Sequence, residues 1–269
     1  MTERRTAHPY WLWEAIMGSG DVLEACLHQE VQRQVDRVAD RIARLKPQHV
    51  FFAGTGSSAF VGMAHIHAFG EVAGLSASFH TMTELGAYPP ADFSAGSVLI
   101  CTSHSGTTPG DVPVVELARQ RGLYTVGITG RSDSPLARSV DDTILEPDIP
   151  LLKARMTRAY LPNMLRGVQL ALALGKRLGN ETVALQYERK LAEIPDLVRA
   201  SLASFSADAP RFSASLLGRT AYFVVSAGPN MSTAYEAALG FYQGTGVGAQ
   251  PVQIEEFLHG VIEALDAEM

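Results

Sequence analysis

Two short, largely apolar runs, residues 49–53 and 98–102, each pass straight into a turn of glycine and hydroxyl side chains and from there into a helical pattern. A continuous apolar run of this length marks a strand buried on both faces. A helix after each such strand rules out simple hairpins and calls for parallel pairing, right-handed crossovers and helices on both faces of the sheet. Residues 77–82, 124–129 and 143–145 read as further strands, and residues 59–72 and 112–121 as helices. The expected fold class is therefore α/β, with a doubly wound parallel five-stranded sheet. Ligands of such sheets bind beyond the carboxyl ends of the strands.

The flanking segments are helical. Asp21 can cap a helix, and Val22, Leu23, Ala25, Cys26, Val31, Val35, Val38, Ile42 and Leu45 keep helical spacing as far as Pro47, so one amphipathic helix is expected there. Residues 156–205 read as two long helices meeting near Gly179-Asn180. The opening order then returns, with a strand at 221–226, a turn at Gly228-Pro229-Asn230, a helix at 232–242 and a strand at 252–254. Phe52 and Phe223, like Glu84 and Glu255, stand 171 positions apart, which suggests an internal repeat. The expected organisation is an N-terminal helical segment at 1–46, a first domain at 47–155, a helical connector at 156–206 and an incomplete second domain at 207–269. That second copy reaches Met269 without an equivalent of the 102–108 strand end and loop. The exposed sheet edge and apolar helix faces this implies predict self-association, most simply as a homodimer.

Composition bounds the partners. Lys and Arg total 22 in 269 residues and the formal net charge is −6, so the dense basic face that nucleic acid requires is not expected. Cys26 and Cys101 are too few for a disulfide framework and lie in apolar segments, so both are expected as buried free thiols. No apolar run reaches the length of a membrane span, about 18 residues, and the first residues lack a signal-peptide pattern, which gives a cytoplasmic expectation. His65 and His67 are two apart on a helix and point to different sides, poor geometry for a shared metal. No metal or cofactor is expected. Phe51, Phe52 and Phe93 read as core.

The chemistry concentrates in two loops. Thr102-Ser103-His104-Ser105-Gly106-Thr107-Thr108 joins a buried strand to a helix whose first turn holds Pro109 and Asp111. Hydroxyl and imidazole side chains meet there with the open N–H groups of a helix start, the makeup of a phosphate cradle. It contains no lysine, so oriented dipoles and hydroxyl donors would hold the anion. An ordinary capped turn rich in Ser and Thr is the plain alternative. Gly54-Thr55-Gly56-Ser57-Ser58 is a second such turn. It reads as G-x-G-x-x-A, ending at Ala59, a permitted dinucleotide variant. No acidic residue ends the next strand to hold a ribose.

Gly56-Ser57-Ser58 followed by Ser103-His104-Ser105-Gly106-Thr107-Thr108 resembles the G-T-S and S-Q-S-G-E-T loops of the sugar-isomerase (SIS) domain family, known from the isomerase half of glucosamine-6-phosphate synthase. Gly127-Ile128-Thr129, Ser134-Pro135-Leu136-Ala137 and Asp141-Asp142 stand where that family has similar elements. Thr157-Arg158-Ala159-Tyr160 resembles its T-K-A-F segment, with Met156 in place of a serine. The resemblance implies a three-layer, flavodoxin-like SIS fold. It also implies that Ser57, Ser58, Ser103, His104, Ser105 and Thr108 bind the phosphate of a sugar such as a hexose or hexosamine 6-phosphate. Ala234-Tyr235-Glu236-Ala237-Ala238-Leu239 and Glu255-Glu256-Phe257-Leu258-His259-Gly260 resemble segments that carry isomerase chemistry. Glu236 and His259 are the implied acid–base candidates, while Gln243 stands where the family has its proton-shuttling glutamate. The implied function is an aldose–ketose isomerase or amino-sugar-phosphate deaminase working through an enediol-like intermediate. The alternative, supported by Gln243, is a non-catalytic phosphosugar-binding or sensing module, or a truncated inactive isomerase.

Overall fold

The computed structural model describes residues 6–147, 160–219 and 221–265. The expected sheet is present. Strands β1 (Val50–Gly54), β2 (Ala77–Thr81), β3 (Val98–Thr102), β4 (Tyr124–Thr129) and β5 (Asp142–Leu145) lie side by side in the order β2-β1-β3-β4-β5, all parallel. The three central strands are buried at every position, which is why β1 and β3 read as apolar runs; β4 carries Thr125 and Thr129 buried among its apolar residues.

Alternate residues of these strands feed two cores. Phe52, Ile100, Val126 and Ile128 face helices α3 (Gln29–Leu45), α4 (Ser57–Ala68) and α8 (Tyr160–Arg177). Phe51, Ala53, Leu99 and Cys101 face α5 (Met82–Ala87), α6 (Asp111–Gln120) and α7 (Pro135–Ser139), together with Phe93. Both cysteines are buried free thiols, and burial pushes the Cys26 thiol up to about 12.

The single helix expected over residues 21–45 is two helices. Following α1 (Trp11–Met17), α2 covers Ser19–Cys26 and α3 begins at Gln29. The break has a tertiary cause. The Cys26 carbonyl, which a continuous helix would use internally, accepts from Arg166 Nη1 at 2.7 Å and Gln169 Nε2 at 3.2 Å on α8. His28 is extended, with φ −64° and ψ 145°. Arg166 is 0% exposed and also donates to Leu145 O at the end of β5 and to Gln169 Oε1.

Two long helices meet at the Gly179-Asn180 stop, α8 and α9 (Glu181–Ser215). Residue 206, the expected end of the connector, falls inside α9. Then come β6 (Tyr222–Ser226), α10 (Met231–Thr245), β7 (Ala249–Gln253) and α11 (Ile254–His259), with β6 and β7 paired in parallel. This succession matches β1, α4, β2 and α5, but at an offset of 172 and not 171. The ends of β1 and β6, β2 and β7, and α5 and α11 all agree on it. So do Gly56 and Gly228, with φ +58° and +56°, and the helix caps Thr81 and Gln253. Phe52 therefore corresponds to Val224, and Glu84 to Glu256. The equivalent helices α4 and α10 pack on each other, with the Phe60 and Tyr235 rings 5.2 Å apart. Tyr160 ties α8 to the same helix through Ser232 Oγ at 2.9 Å.

Among the described residues no helix is long and apolar enough to cross a membrane. Nor does any group of three or more His, Cys, Asp or Glu side chains converge as a metal site would require. His65 is buried and His67 exposed, as two positions on opposite sides of a helix must be.

Candidate anion site at the carboxyl edge of the sheet

Because β1, β3 and β4 are neighbours and parallel, the loops that follow them open on one edge of the sheet. Gly54 is required in the first loop: a Cβ there would stand 2.5 Å from the backbone of Ser58. Gly56, in the left-handed region at φ +58°, then turns the chain so that Ser57 starts α4.

The second loop is folded tightly on itself. The Ser103 amide donates to Ile128 O and the Gly106 amide to Ser103 O, at 2.9 and 3.0 Å. Gly106 has φ +60°, and a Cβ there would fall inside the Ser134 side chain. Ser105 Oγ accepts from Thr107 N and Thr107 Oγ1, at 3.3 and 3.0 Å, a turn that leaves Ser105 exposed at the loop tip. Ser103 is buried, with its hydroxyl 3.2 Å from Thr108 Oγ1. Both hydroxyls lie near Asp111, which is buried at the start of α6. Burial pushes the Asp111 carboxyl above the usual range, and the Ser103 and Thr108 groups pull it back. Ser103 and Thr108 thus brace the loop from below, while Ser105 and His104 form its outer face.

His104 carries the closest side-chain contact in the loop. Its Nδ1 lies 2.6 Å from Glu146 Oε2, just past β5. The Glu146 side chain is 1% exposed and that of His104 45%. Burial raises the Glu146 carboxyl from its ordinary range, opposed by His104 and by the charge of Arg166.

The second unit reaches the first loop through Glu236. This half-buried residue of α10 lies against Ser57. Burial raises its carboxyl, and the Ser57 hydroxyl counteracts part of that rise. Its Oε2 is buried without a hydrogen-bond partner among the described residues.

The structure therefore brings Ser57 to Glu236, Ser103 to Thr108, and His104 to a residue the sequence reading passed over. Ser58 is half-buried beside them at the start of α4. Gln243 and His259 are not part of this gathering. Gln243 is exposed near the end of α10, and His259 is exposed at the end of α11, lining a separate concavity with Tyr235, Gln253 and Glu256. Residues 157–159 of the T-K-A-F-like segment lie outside the described residues. Two acids were missed as site residues, Asp111 and Glu146. The available signal for Glu146 was its place directly after a strand, on the edge where ligands of such sheets bind.

The chain carries a SIS domain: that family's description matches residues 45–173. Over 237 residues it is 26% identical to the glutamine–fructose-6-phosphate aminotransferase [isomerizing] of Pyrococcus horikoshii, covering 87% of this chain and 38% of that protein. It thus spans well under half the length of that relative. It is also 22% identical to the fructosamine deglycase FrlB of Bacillus subtilis, over 88% of this chain and 71% of that one. The fold matches the C-terminal domain of glucosamine-fructose-6-phosphate aminotransferase from Francisella tularensis with a TM-score of 0.83 at 16% identity, covering 99% of this chain and 76% of that one.

The loop geometry makes Gly106 a test position. A side chain at its left-handed φ costs about 1–2 kcal/mol, and the overlap with Ser134 adds to it. Gly106→Ala is expected to lose about 2 kcal/mol or more in urea unfolding, whereas Gly70→Ala, which meets open space, stays near the parent. Equal midpoints for Gly106→Ala and the parent would contradict this loop conformation.

Proposed function

We propose that the protein binds the phosphate of a hexose or hexosamine 6-phosphate at the 103–108 loop, with Ser57 and Ser58 completing the cradle, and works in the cytoplasm on the C1–C2 end of the sugar. The reaction class is aldose–ketose isomerisation or amino-sugar-phosphate deamination through an enediol-like intermediate. The observation that carries this reading is Glu236. A carboxyl delivered by the second unit to the rim of the first loop, and held above the usual carboxylate range by burial, suits a group that must take a proton from one sugar carbon and return it to the next. The names of the two relatives, an isomerizing aminotransferase and a fructosamine deglycase, agree with sugar chemistry of this kind.

In this scheme Ser105 and the helix start of α6 hold the anion by hydroxyl and N–H donors, and Glu236 acts in its ionised form. Turnover should therefore fall as pH drops through the raised Glu236 titration. A second reading, binding without turnover, draws on Gln243: an amide does not titrate near neutral pH and cannot take up and return a proton.

Binding and chemistry are tested separately. A sugar 6-phosphate at tenfold its dissociation constant stabilises the folded state by about 1.4 kcal/mol, roughly 3–6 °C in melting temperature for a chain of this size. Glucose 6-phosphate should produce such a shift in the parent and a much smaller one in Ser105→Ala; equal shifts would remove the loop from the site. In deuterium oxide the parent should exchange the C2 proton of glucose 6-phosphate, and Glu236→Gln should slow that exchange by about 10²–10⁴. Exchange unaffected by Glu236→Gln would assign the base to another residue. Binding with no exchange in the parent would establish the non-catalytic reading.

A further inference from the structure

The proposed reaction gives no part to Glu146, a buried acid just past β5. Glu146 is not on the loop and does not reach the second unit, yet it holds the ring of His104 at 2.6 Å. That ring is tightly placed. The His104 carbonyl accepts from Gly130 N at 2.9 Å and Thr129 Oγ1 at 3.3 Å, and a Cβ at Gly130 would stand 3.1 Å from ring atoms Nδ1 and Cε1. Glu146 is fixed in turn by its amide, which donates to Thr129 O at 2.9 Å. Nδ1 is thus turned inward to the carboxylate.

We propose that His104 and Glu146 act as one proton-gated anion receptor: the pair must hold a proton for the 103–108 loop to bind phosphate, and Glu146 is the positioning residue that sets where it titrates. This rests on the reading of the loop as a phosphate site. With one proton on the pair beyond full deprotonation, Nε2 carries a hydrogen and donates to the anion, wherever the second proton sits between Nδ1 and Oε2. When that proton is lost, Nδ1 keeps its hydrogen for Glu146, Nε2 becomes a lone pair, and the site turns more negative by one charge. Anion affinity therefore falls as pH rises through the titration of the pair. The loop contains no lysine, so this proton supplies the mobile positive charge that its dipoles lack.

Several charged groups face the pair. Arg166 on α8, 0% exposed, acts on Glu146 from inside and favours its ionised form. Cys26 on α2 is neutral, its thiol pushed up by burial. Asp111 at the start of α6 opposes an anion on the same loop as it ionises. Arg131 and Asp133, after β4, are exposed and paired with each other at 3.1 Å. Asp111 is the one that could imitate the effect, since its ionisation also weakens anion binding with rising pH.

The test uses inorganic sulfate, which stays a dianion throughout, so any pH slope belongs to the protein. Its affinity for the full chain is measured by calorimetry from pH 5.5 to 8.5, with inorganic phosphate as a second probe. The parent should lose up to about tenfold in affinity per pH unit above the midpoint, the limit for one proton. His104→Gln, which keeps an amide donor but cannot titrate, should bind with no slope. Glu146→Gln should keep a slope whose midpoint lies about one to three pH units lower, because the neighbouring carboxylate is gone. A slope that persists in His104→Gln would assign the effect to Asp111 and overturn the proposal, as would a flat profile in the parent. Failure of the parent to bind either anion at any pH would overturn the phosphate reading of the loop, and this inference with it.

Discussion

Arg166 has no access to water, so its guanidinium must find its partners inside the protein. Nε and Nη1 find them on three elements at once, the Cys26 carbonyl at the end of α2, the Leu145 carbonyl at the end of β5 and Gln169 one turn along its own helix, while Nη2 is buried without a partner among the described residues. Burying such a charge costs several kcal/mol unless hydrogen bonds satisfy it, and this need fixes how α8 sits on the sheet. The consequences reach the loops. The same residue breaks the N-terminal helical segment, holds the chain just before Glu146, and places a positive charge behind that carboxyl. Through Glu146 it acts on the imidazole of the 103–108 loop.

The second constraint is the repeat. Equivalent helices α4 and α10 pack against each other, so the loop after β1 faces the helix that corresponds to its own. This contact brings Glu236 to Ser57, so a carboxyl from the second unit lies at the rim of a candidate site built mainly by the first. Neither unit could assemble the arrangement alone.

Much of the first unit was legible because its signals are local. Residues 98–102 read as an apolar run because that strand is buried on both faces, and β3 and β4 both have the expected bounds. The glycine and hydroxyl turns are equally local, which is how the 103–108 loop could be named. What was not legible depends on distant partners. The break at residues 27–28 carries no Gly or Pro; it answers to a guanidinium 140 positions away. Glu146 looked like a polar residue after an edge strand, since nothing near it in sequence announces that it meets His104 42 positions earlier. The repeat was visible but misaligned by one, because two chance identities outweighed positions that matter for backbone shape. Gly56 and Gly228 share a left-handed turn, and they fix the register that Phe52 and Phe223 obscured. Gln243 and His259, which the family pattern offered as catalytic positions, are both exposed, and His259 lines a concavity of its own.

The central claim is that the carboxyl edge of the first unit and Glu236 of the second form one sugar-phosphate site. A crystal structure of the full chain with glucose 6-phosphate bound tests it directly. The account predicts the phosphate within hydrogen-bond distance of Ser105 and His104, with the sugar extending past Ser57 so that C2 faces the Glu236 carboxyl. Phosphate seated in the separate concavity beside His259 and Glu256, or a sugar on the loop with Glu236 turned away from it, would contradict the account.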